Sequence, residues 1–200
     1  MKKSFLHVGC GPKHKDQTTK GFNSDAWEEV RFDIDESVKP DLVGTMTDMS
    51  SVADASMDAL FSSHNIEHLY PHEVPVALKE FLRVLKPDGF VVITCPDLQS
   101  VCQLVAENKL TDAAYVSAAG PIAPLDILYG HRPPMARGNL YMAHRCGFTK
   151  KTLMADLQAA GFGSVIAINR PEHFDLWALA TKQTLSQEEI VALFNTQLAG

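Results

Sequence analysis

The sequence lacks a cysteine framework, a long apolar run and an excess of positive charge, and each absence excludes a class of protein. Its four cysteines are scattered without a C-x-x-C pair, which argues against a disulfide-stapled fold. The apolar stretch after the N-terminal lysines ends at Val8, too early for a signal peptide, and no later run approaches membrane-spanning length. A net charge of −6 disfavours a general nucleic-acid or anionic-membrane binder. We therefore expect a cytoplasmic protein.

Short apolar segments of strand length alternate with longer segments of helical periodicity. This alternation is typical of a doubly wound α/β sheet, mostly parallel and with helices on both faces. The stretch FVVITC is apolar throughout, as expected of a central strand covered on both faces. The predicted strands number seven and cover residues 5–8, 30–34, 41–44, 58–62, 90–95, 164–168 and 175–181.

Three helices are predicted with capping signals. The first covers residues 72–86 and is ended by KPDG; the second covers residues 150–160, between Thr149 as N-cap and Gly161. The third begins with a capping box from Ser186 to Glu189. We expect it to pack on its own domain, with a homodimer contact as the alternative. The predicted organisation is a domain over residues 1–184 followed by a C-terminal helix over residues 185–200.

One long segment breaks the alternation. Residues 111–147 are rich in glycine and proline and lack clear periodicity. Long irregular connections inside compact domains are commonly functional lids. The segment carries tyrosines, histidines and arginines, and we expect it to cover a binding site.

Glycines directly follow the first predicted strand. Gly9 and Gly11 permit a tight turn and let a ligand approach bare backbone. Asp33 closes the second strand, at a spacing typical of a carboxylate that accepts hydrogen bonds from ribose hydroxyls. Asp35 is a competing choice, and we prefer Asp33 because it directly follows the strand core. The third glycine of a dinucleotide fingerprint is replaced by His14, so the predicted ligand has a ribose but no diphosphate.

The ordered set LHVGCGP, FDIDES, DLVGTMTDMS, MDALFSSHNIEHL and FLRVLKPDGFVVITCPD resembles the class I S-adenosylmethionine-dependent methyltransferases. It looks most like a bacterial branch with a short first crossover. The match covers residues 4–98 and extends more weakly through HRCGFTKKTLMADLQAAGF. The resemblance implies a Rossmann-like methyltransferase fold and S-adenosylmethionine as the cofactor.

The resemblance also implies where the cofactor binds. The glycine turn would lie against its methionine and ribose part, Asp33 would hold the ribose, and Asp48 with Met49 would take the adenine. The residues so assigned are Gly9, Cys10, Gly11, Asp33, Ile34, Asp48, Met49, Ser63, His64 and Asn65.

The stretch SHNIEHLYPHE holds three histidines and contains H-x-x-E-H, the inverted zinc-peptidase signature. A zinc hydrolase would need His64 and His68 on one helical face and a third ligand downstream. We expect His64 to leave a strand rather than to lie in a helix, and we predict no metal ligand here. His64 is instead a candidate base, His68 an anchor of the turn, and Glu67 a local cap or ion-pair partner.

The predicted function is methyl transfer to an unidentified acceptor, a small molecule or glycan rather than a nucleic acid. His144 is a second candidate base. The candidate acceptor-binding residues all lie in the 111–147 segment and are Tyr129, His131, Arg132, Tyr141 and Arg145. The alternatives are a non-catalytic protein that binds the same cofactor and the zinc hydrolase.

Overall fold

The computed structural model of the chain describes residues 2–117 and 119–198. The strands are β1 (Lys3–Val8), β2 (Trp27–Asp33), β3 (Leu42–Val43), β4 (Met57–Ser63), β5 (Leu85–Pro96), β6 (Tyr115–Ser117), β7 (Gly120–Ile122), β8 (Ser164–Arg170) and β9 (Asp175–Thr181). The helices are α1 (Val74–Val84), α2 (Leu98–Ala106), α3 (Pro124–Tyr129), α4 (Arg132–Ala136), α5 (Lys150–Ala160) and α6 (Gln187–Leu198).

Seven of the strands form one sheet in the order β3-β2-β1-β4-β5-β9-β8, while β6 and β7 pair separately. Strands β1 to β5 are parallel, and β9 is antiparallel to both of its neighbours. The predicted seven-stranded, mostly parallel sheet is confirmed. Because the chain passes from β1 outwards to β3 and then returns to β4 on the other side of β1, the strand order reverses between β1 and β4. Ligands of open α/β sheets bind at the carboxyl ends of the strands beside such a reversal.

Side chains that alternate along the strands fill two cores on opposite faces of the sheet. On β1, Leu6 and Val8 join a core with residues of α1 and α5, while Phe5 points to the other face. There, Phe5 packs against Phe22 with ring centroids 4.6 Å apart. Phe22 belongs to the first crossover, which contains a 3₁₀ turn but no α-helix, so aromatic side chains fill the place of a helix.

The predicted capping signals of α5 and α6 are confirmed. Thr149 caps α5 by accepting from the Thr152 amide, and Gly161 ends the helix at φ +108°. The Ser186 and Glu189 side chains exchange hydrogen bonds with each other's amides at the start of α6. Helix α6 packs on the domain's own sheet, with its buried apolar side chains Ile190 and Phe194 in the second core.

Two expectations about elements are wrong. The helix predicted over residues 72–86 ends at Val84, and β5 begins at once with Leu85, so KPDG lies inside the strand. The segment 111–147 is not irregular, because it contains β6, β7, α3 and α4. None of the helices in the described part of the chain is long and apolar enough to cross a membrane.

Candidate active site

The turn after β1 requires glycine for two reasons. Gly9 and Gly11 have φ of +62° and +53°, in the left-handed region that other residues rarely adopt. A Cβ on Gly9 would also lie 2.1 Å from Oδ1 of Asn65, whereas one on Gly11 would meet nothing within 4 Å. The Gly9 amide donates to the Phe32 carbonyl at 2.8 Å, which joins the turn to the end of β2. The result is a stretch of bare backbone at the point where the strand order reverses.

Asp33 faces this turn from the end of β2. Its carboxylate is buried and accepts from the Gly11 amide at 2.7 Å and from the Asp35 amide at 2.9 Å. Asp35 is directed elsewhere, because its side chain accepts from the Ser37 amide at the start of a 3₁₀ turn. Of the two aspartates, the structure therefore brings Asp33 to the glycine turn.

Arg31 is a buried cation that sequence reasoning missed. Its guanidinium donates to the carbonyls of Gly11 at 2.6 Å, Lys13 at 3.2 Å and Lys39 at 2.8 Å. These carbonyls lie in the loops after β1 and after β2, so one side chain joins the two loops that frame the cleft. An arginine inside a strand candidate was the only signal for it in the sequence.

Ile34, Asp48 and Met49, which were also expected to bind the cofactor, differ in their exposure. Ile34, next to Asp33, is 45% exposed despite its apolar side chain, and Asp48 is exposed with its pKa lowered by a hydrogen bond from Ser50. Met49 is fully buried in the main core, and its amide donates to Glu80. The expectation that Met49 covers a face of the adenine ring is therefore wrong, because its side chain points into the core.

The end of β4 completes the cleft. The side-chain nitrogen Nδ2 of Asn65 donates to the backbone carbonyls of Val8 and Ser63, both at 3.0 Å. These hydrogen bonds hold the Asn65 side chain against Gly9. The Ser63 hydroxyl pairs with that of Thr94 at 2.8 Å. His64 has a φ of +55°, which is uncommon for a residue other than glycine, and its side chain is 49% exposed. Strained backbone of this kind is concentrated at functional sites.

The cysteine of the turn is not a reactive group. Cys10 is 1% exposed, and burial raises the pKa of its thiol to about 11. A thiol in this environment stays protonated at neutral pH, so Cys10 contributes its backbone to the turn and a small apolar side chain to the interior.

Glu67 occupies an unusual position for a carboxylate. It lies in the 3₁₀ turn Ile66–His68, is 1% exposed, and neither of its side-chain oxygens has a hydrogen-bond partner among the described residues. Three imidazoles surround it, with His64 Nδ1 at 3.5 Å and His144 Nε2 at 4.0 Å from Oε1. Burial alone would raise the pKa of Glu67, but His64 and the other histidines lower it below its ordinary value. Of the two expectations for Glu67, the local cap is wrong, and the local ion pair is confirmed by His64 three residues before it.

His144 reaches Glu67 because two segments are joined by backbone hydrogen bonds. The amides of Arg145 and Cys146 both donate to the Glu67 carbonyl, at 2.8 and 3.2 Å. The Ala143 carbonyl accepts from Nδ1 of His68 at 3.1 Å, as expected of an anchoring histidine. We name Glu67, His68 and His144 the Glu67 cluster. The sequence spacing H-x-x-E-H indicated its first part, and nothing local indicated His144.

The residues expected to contact an acceptor differ in their surroundings. Tyr129 and Tyr141 are 63% and 57% exposed, and His131 precedes α4. The Arg145 guanidinium stacks 4.7 Å from the centre of the Tyr70 ring. Arg132 uses two of its nitrogens to bind the buried Asp126 carboxylate, at 2.6 and 3.0 Å. The guanidinium of Arg132 therefore points toward Asp126.

A surface depression of about 620 Å³ lies elsewhere, along the first crossover and the start of β2, where Lys15, Trp27 and Glu28 contribute to its lining. It is wide and shallow, and it lies away from the carboxyl ends of the strands. We place the candidate active site at the glycine turn and not in this depression, because the reversal of strand order is at the turn.

Comparison with known proteins agrees with this geometry. The family model described as "Methyltransferase domain" matches residues 6–93. No curated protein matches the sequence. Residues 6–93 include the glycine turn, Asp33 and the turn after β4 (residues 64–68, the β4 turn), so the family match covers the part of the cleft around the glycine turn.

Solved structures share the fold across nearly the whole chain. A SAM-dependent methyltransferase from Archaeoglobus fulgidus is 18% identical, with a TM-score of 0.57 over 90% of this chain and 86% of that one. One from Methanosarcina mazei is 17% identical, with a TM-score of 0.58 over 92% and 94%. The 1,6-didemethyltoxoflavin-N1-methyltransferase of Burkholderia thailandensis, with bound 1,6-didemethyltoxoflavin and S-adenosylhomocysteine, is 16% identical, with a TM-score of 0.56 over 91% and 72%.

At these identities the structures establish the fold, and the family match establishes the methyltransferase domain. The chain therefore has the class I, Rossmann-like methyltransferase fold, and the methyltransferase domain over residues 6–93 supports a SAM-dependent methyltransferase with S-adenosylmethionine as its cofactor.

Proposed function

We propose that this enzyme methylates a small molecule or a glycan held between the end of β4 and the segment 111–147. One observation supports the proposal most strongly. The bare backbone at Gly9 and Gly11 lies beside the Asp33 carboxylate and the β4 turn, at the point where the strand order reverses. These groups suit a ligand that has a ribose and no diphosphate, because the first crossover offers no α-helix N-terminus to a pyrophosphate.

Each group at the cleft has a proposed role toward the cofactor. Asp33 accepts from the ribose hydroxyls with the lone pairs that the Gly11 and Asp35 amides leave free. The exposed apolar side chain of Ile34 packs on the adenine, and Asp48 accepts from its amino group. The glycine turn, with Cys10, and the residues Ser63, His64 and Asn65 border the methionine end.

S-adenosylmethionine supplies a methyl group that is bonded to a sulfonium sulfur. When the methyl carbon bonds to the acceptor, its bond to sulfur breaks and the sulfur leaves as a neutral thioether. The chain's main contribution is to hold the acceptor in line with that carbon, which can be worth roughly 7–11 kcal/mol. An acceptor hydroxyl or amine also loses a proton, and a positioned base adds about 10²–10⁴-fold.

We assign the role of the base that accepts this proton to His64 in preference to His144. His64 is half exposed and follows the β4 strand beside the glycine turn. Burial would lower the pKa of His64, but Glu67 outweighs it and raises the pKa above its ordinary value. His144 is only 11% exposed, and its Nδ1 is occupied by the Ile127 carbonyl, so it has less access to an acceptor.

The acceptor is proposed to lie under the segment 111–147. This segment exposes Tyr129, Leu140 and Tyr141, which suit the apolar face of a small molecule or a sugar ring. Arg145 offers a cation next to the β4 turn, and His131 a polar group. Arg132 is the weaker candidate for gripping an anion, because Asp126 already occupies its fork. The net charge of −6 disfavours a nucleic acid.

Calorimetry with S-adenosylmethionine, S-adenosylhomocysteine and NAD tests the cofactor side. We expect the first two to bind and NAD not to bind. Asp33→Ala should weaken binding about 10- to 100-fold, as expected for the loss of charged hydrogen bonds. Asp35→Ala is the matched control and should bind within about threefold of the native protein. Equal losses in both variants, or tight NAD binding, would contradict the assignment.

The acceptor side needs an unbiased assay. The protein is incubated with a metabolite and oligosaccharide extract and a labelled methyl donor, and the products are separated by mass spectrometry. We expect label in a small molecule or glycan, and less of it with Arg145→Ala than with Arg132→Ala. Label found only in protein or nucleic acid would overturn the proposed acceptor class.

A further inference from the structure

The Glu67 cluster contains a buried carboxylate that has no hydrogen-bond donor and whose nearest ion-pair partner is His64, at 3.5 Å. Glu67 is 1% exposed, and both of its oxygens lack a hydrogen-bond donor among the described residues. Buried carboxylates are normally paired, hydrogen-bonded or bound to a metal, because an isolated buried charge is costly. The side chains around Glu67 therefore have to be compared with those that bind a metal ion.

The two imidazoles of the cluster are oriented in the same way. Nδ1 of His68 lies 3.1 Å from the Ala143 carbonyl, and Nδ1 of His144 lies 2.7 Å from the Ile127 carbonyl. A carbonyl oxygen only accepts, so each Nδ1 carries the proton and each Nε2 of a neutral ring has a free lone pair. Metal-binding histidines are held in this way, with the second ring nitrogen donating to a carbonyl or carboxylate.

The distances suit a single ion. One ligand atom from each of Glu67, His68 and His144 lies within 4.8 Å of the other two, and His144 Nε2 is 4.0 Å from Glu67 Oε1. Ligands bound at about 2.0–2.2 Å lie roughly 3–3.5 Å apart, so binding needs only small side-chain adjustments. A cavity of about 20 Å³ borders Glu67 and His144, which is room for one water-sized group.

We propose that Glu67, His68 and His144 bind one divalent ion of the first transition series, such as Zn²⁺, Mn²⁺ or Co²⁺. Two imidazoles and one carboxylate suit these ions, whereas Mg²⁺ and Ca²⁺ prefer oxygen ligands. The proposal reverses the expectation of no metal ligand here. The downstream ligand that a zinc site required is His144, which comes from another segment.

The ion would hold the turn after β4 against residues 143–146, and its bearing on methyl transfer rests on the proposed function. Three protein ligands leave at least one coordination position open. His64 lies at the edge of the cluster, 3.5 Å from Glu67, and connects it to the β4 turn beside Gly9. A water molecule fits that open position, because the cavity beside Glu67 and His144 has room for one water-sized group.

Metal binding is tested on the full chain after treatment with a chelator. Zn²⁺, Mn²⁺, Co²⁺ and Mg²⁺ are titrated by calorimetry, and Co²⁺ is also followed by its visible absorption. We expect one equivalent of a transition-metal ion to bind, and Mg²⁺ to bind far more weakly. Glu67→Gln and His144→Gln should weaken binding at least about 100-fold, since each removes a ligand. His72→Gln, at an exposed histidine outside the cluster, should leave binding unchanged.

Circular dichroism of each variant separates loss of a ligand from loss of fold. Glu67→Gln keeps the shape of the side chain, so it remains informative if His144→Gln unfolds. The proposal is overturned if no transition-metal ion binds at one equivalent, or if His72→Gln loses binding as much as Glu67→Gln does. Binding of S-adenosylhomocysteine is measured in the same samples. Its failure in the native protein would refute the proposed function and leave the metal result standing.

Discussion

The two halves of the cleft are built in different ways. On the half proposed to bind the cofactor (the cofactor half), Gly9, Gly11 and Asp33 follow or end two consecutive strands, and a hydrogen bond of 2.7 Å joins Gly11 to Asp33, 22 positions later. On the other half, the Glu67 cluster joins a turn after β4 to a residue 77 positions later. The first half is determined by residues at the ends of neighbouring strands, whereas the second depends on how a distant segment packs. Substitutions in each half can show whether the free energy of unfolding and the cofactor affinity change as these contacts predict.

The largest effect is expected at the glycine turn. Gly9→Ala adds a Cβ 2.1 Å from Asn65 and also forces a left-handed φ. Strain and overpacking together should lower the free energy of unfolding by about 4 kcal/mol. Gly11→Ala is the matched control, with the same backbone conformation and open space around the new methyl, and should lose about 1 kcal/mol. Urea unfolding measures both, and equal losses would mean that Asn65 can move aside.

Arg31 tests whether the two loops of the cofactor half act as one unit. Arg31→Met keeps the apolar stem but leaves the carbonyls of Gly11, Lys13 and Lys39 without their donor. We expect a loss of about 2–3 kcal/mol in stability and weaker binding of S-adenosylhomocysteine by calorimetry. Arg137→Met, at an exposed arginine, should change stability by no more than about 0.5 kcal/mol. Unchanged cofactor affinity in Arg31→Met would show that the loops are held independently.

Sequence reasoning succeeded where the signal is local. The end of α5 at Gly161, the capping box at Ser186 and the glycine turn each depend on neighbouring residues and on backbone conformation. It failed where a side chain's environment is set by another segment. Met49 follows an exposed aspartate, yet the packing of α1 against the sheet buries it. Glu67 resembles a local cap in the sequence, and only the position of residues 143–146 shows that it is enclosed.

The buried carboxylate of Glu67 should contribute little to stability, because two effects oppose each other. In metal-free protein, Glu67→Gln removes a buried charge that has no hydrogen-bond donor, but it also removes the ion pair with His64 that lowers the Glu67 pKa, so stability should stay nearly equal. Glu80→Gln is the control, because Glu80 accepts from Arg83 at 2.7 and 2.8 Å and from the Met49 amide. It should lose about 1 kcal/mol. Both are measured by urea unfolding with a chelator present. A loss in Glu67→Gln as large as in Glu80→Gln would mean that the surrounding histidines already neutralise the carboxylate.

The smallest effect concerns the segment 111–147 and depends on pH. The Arg132 guanidinium lowers the pKa of the Asp126 carboxyl to about 2, although Arg132 itself is half exposed. A carboxyl whose pKa is lower in the folded state stabilises the fold above about pH 4, and the contribution disappears as the pH falls towards 2. Because solvent screens the exposed partner, we expect about 1 kcal/mol. Asp126→Asn should therefore be less stable than the native protein at pH 7, and the gap should close at pH 2 to 3 in urea unfolding. A gap that stays constant with pH would assign the effect to the hydrogen bond from the Ala123 amide instead of the charge of Arg132.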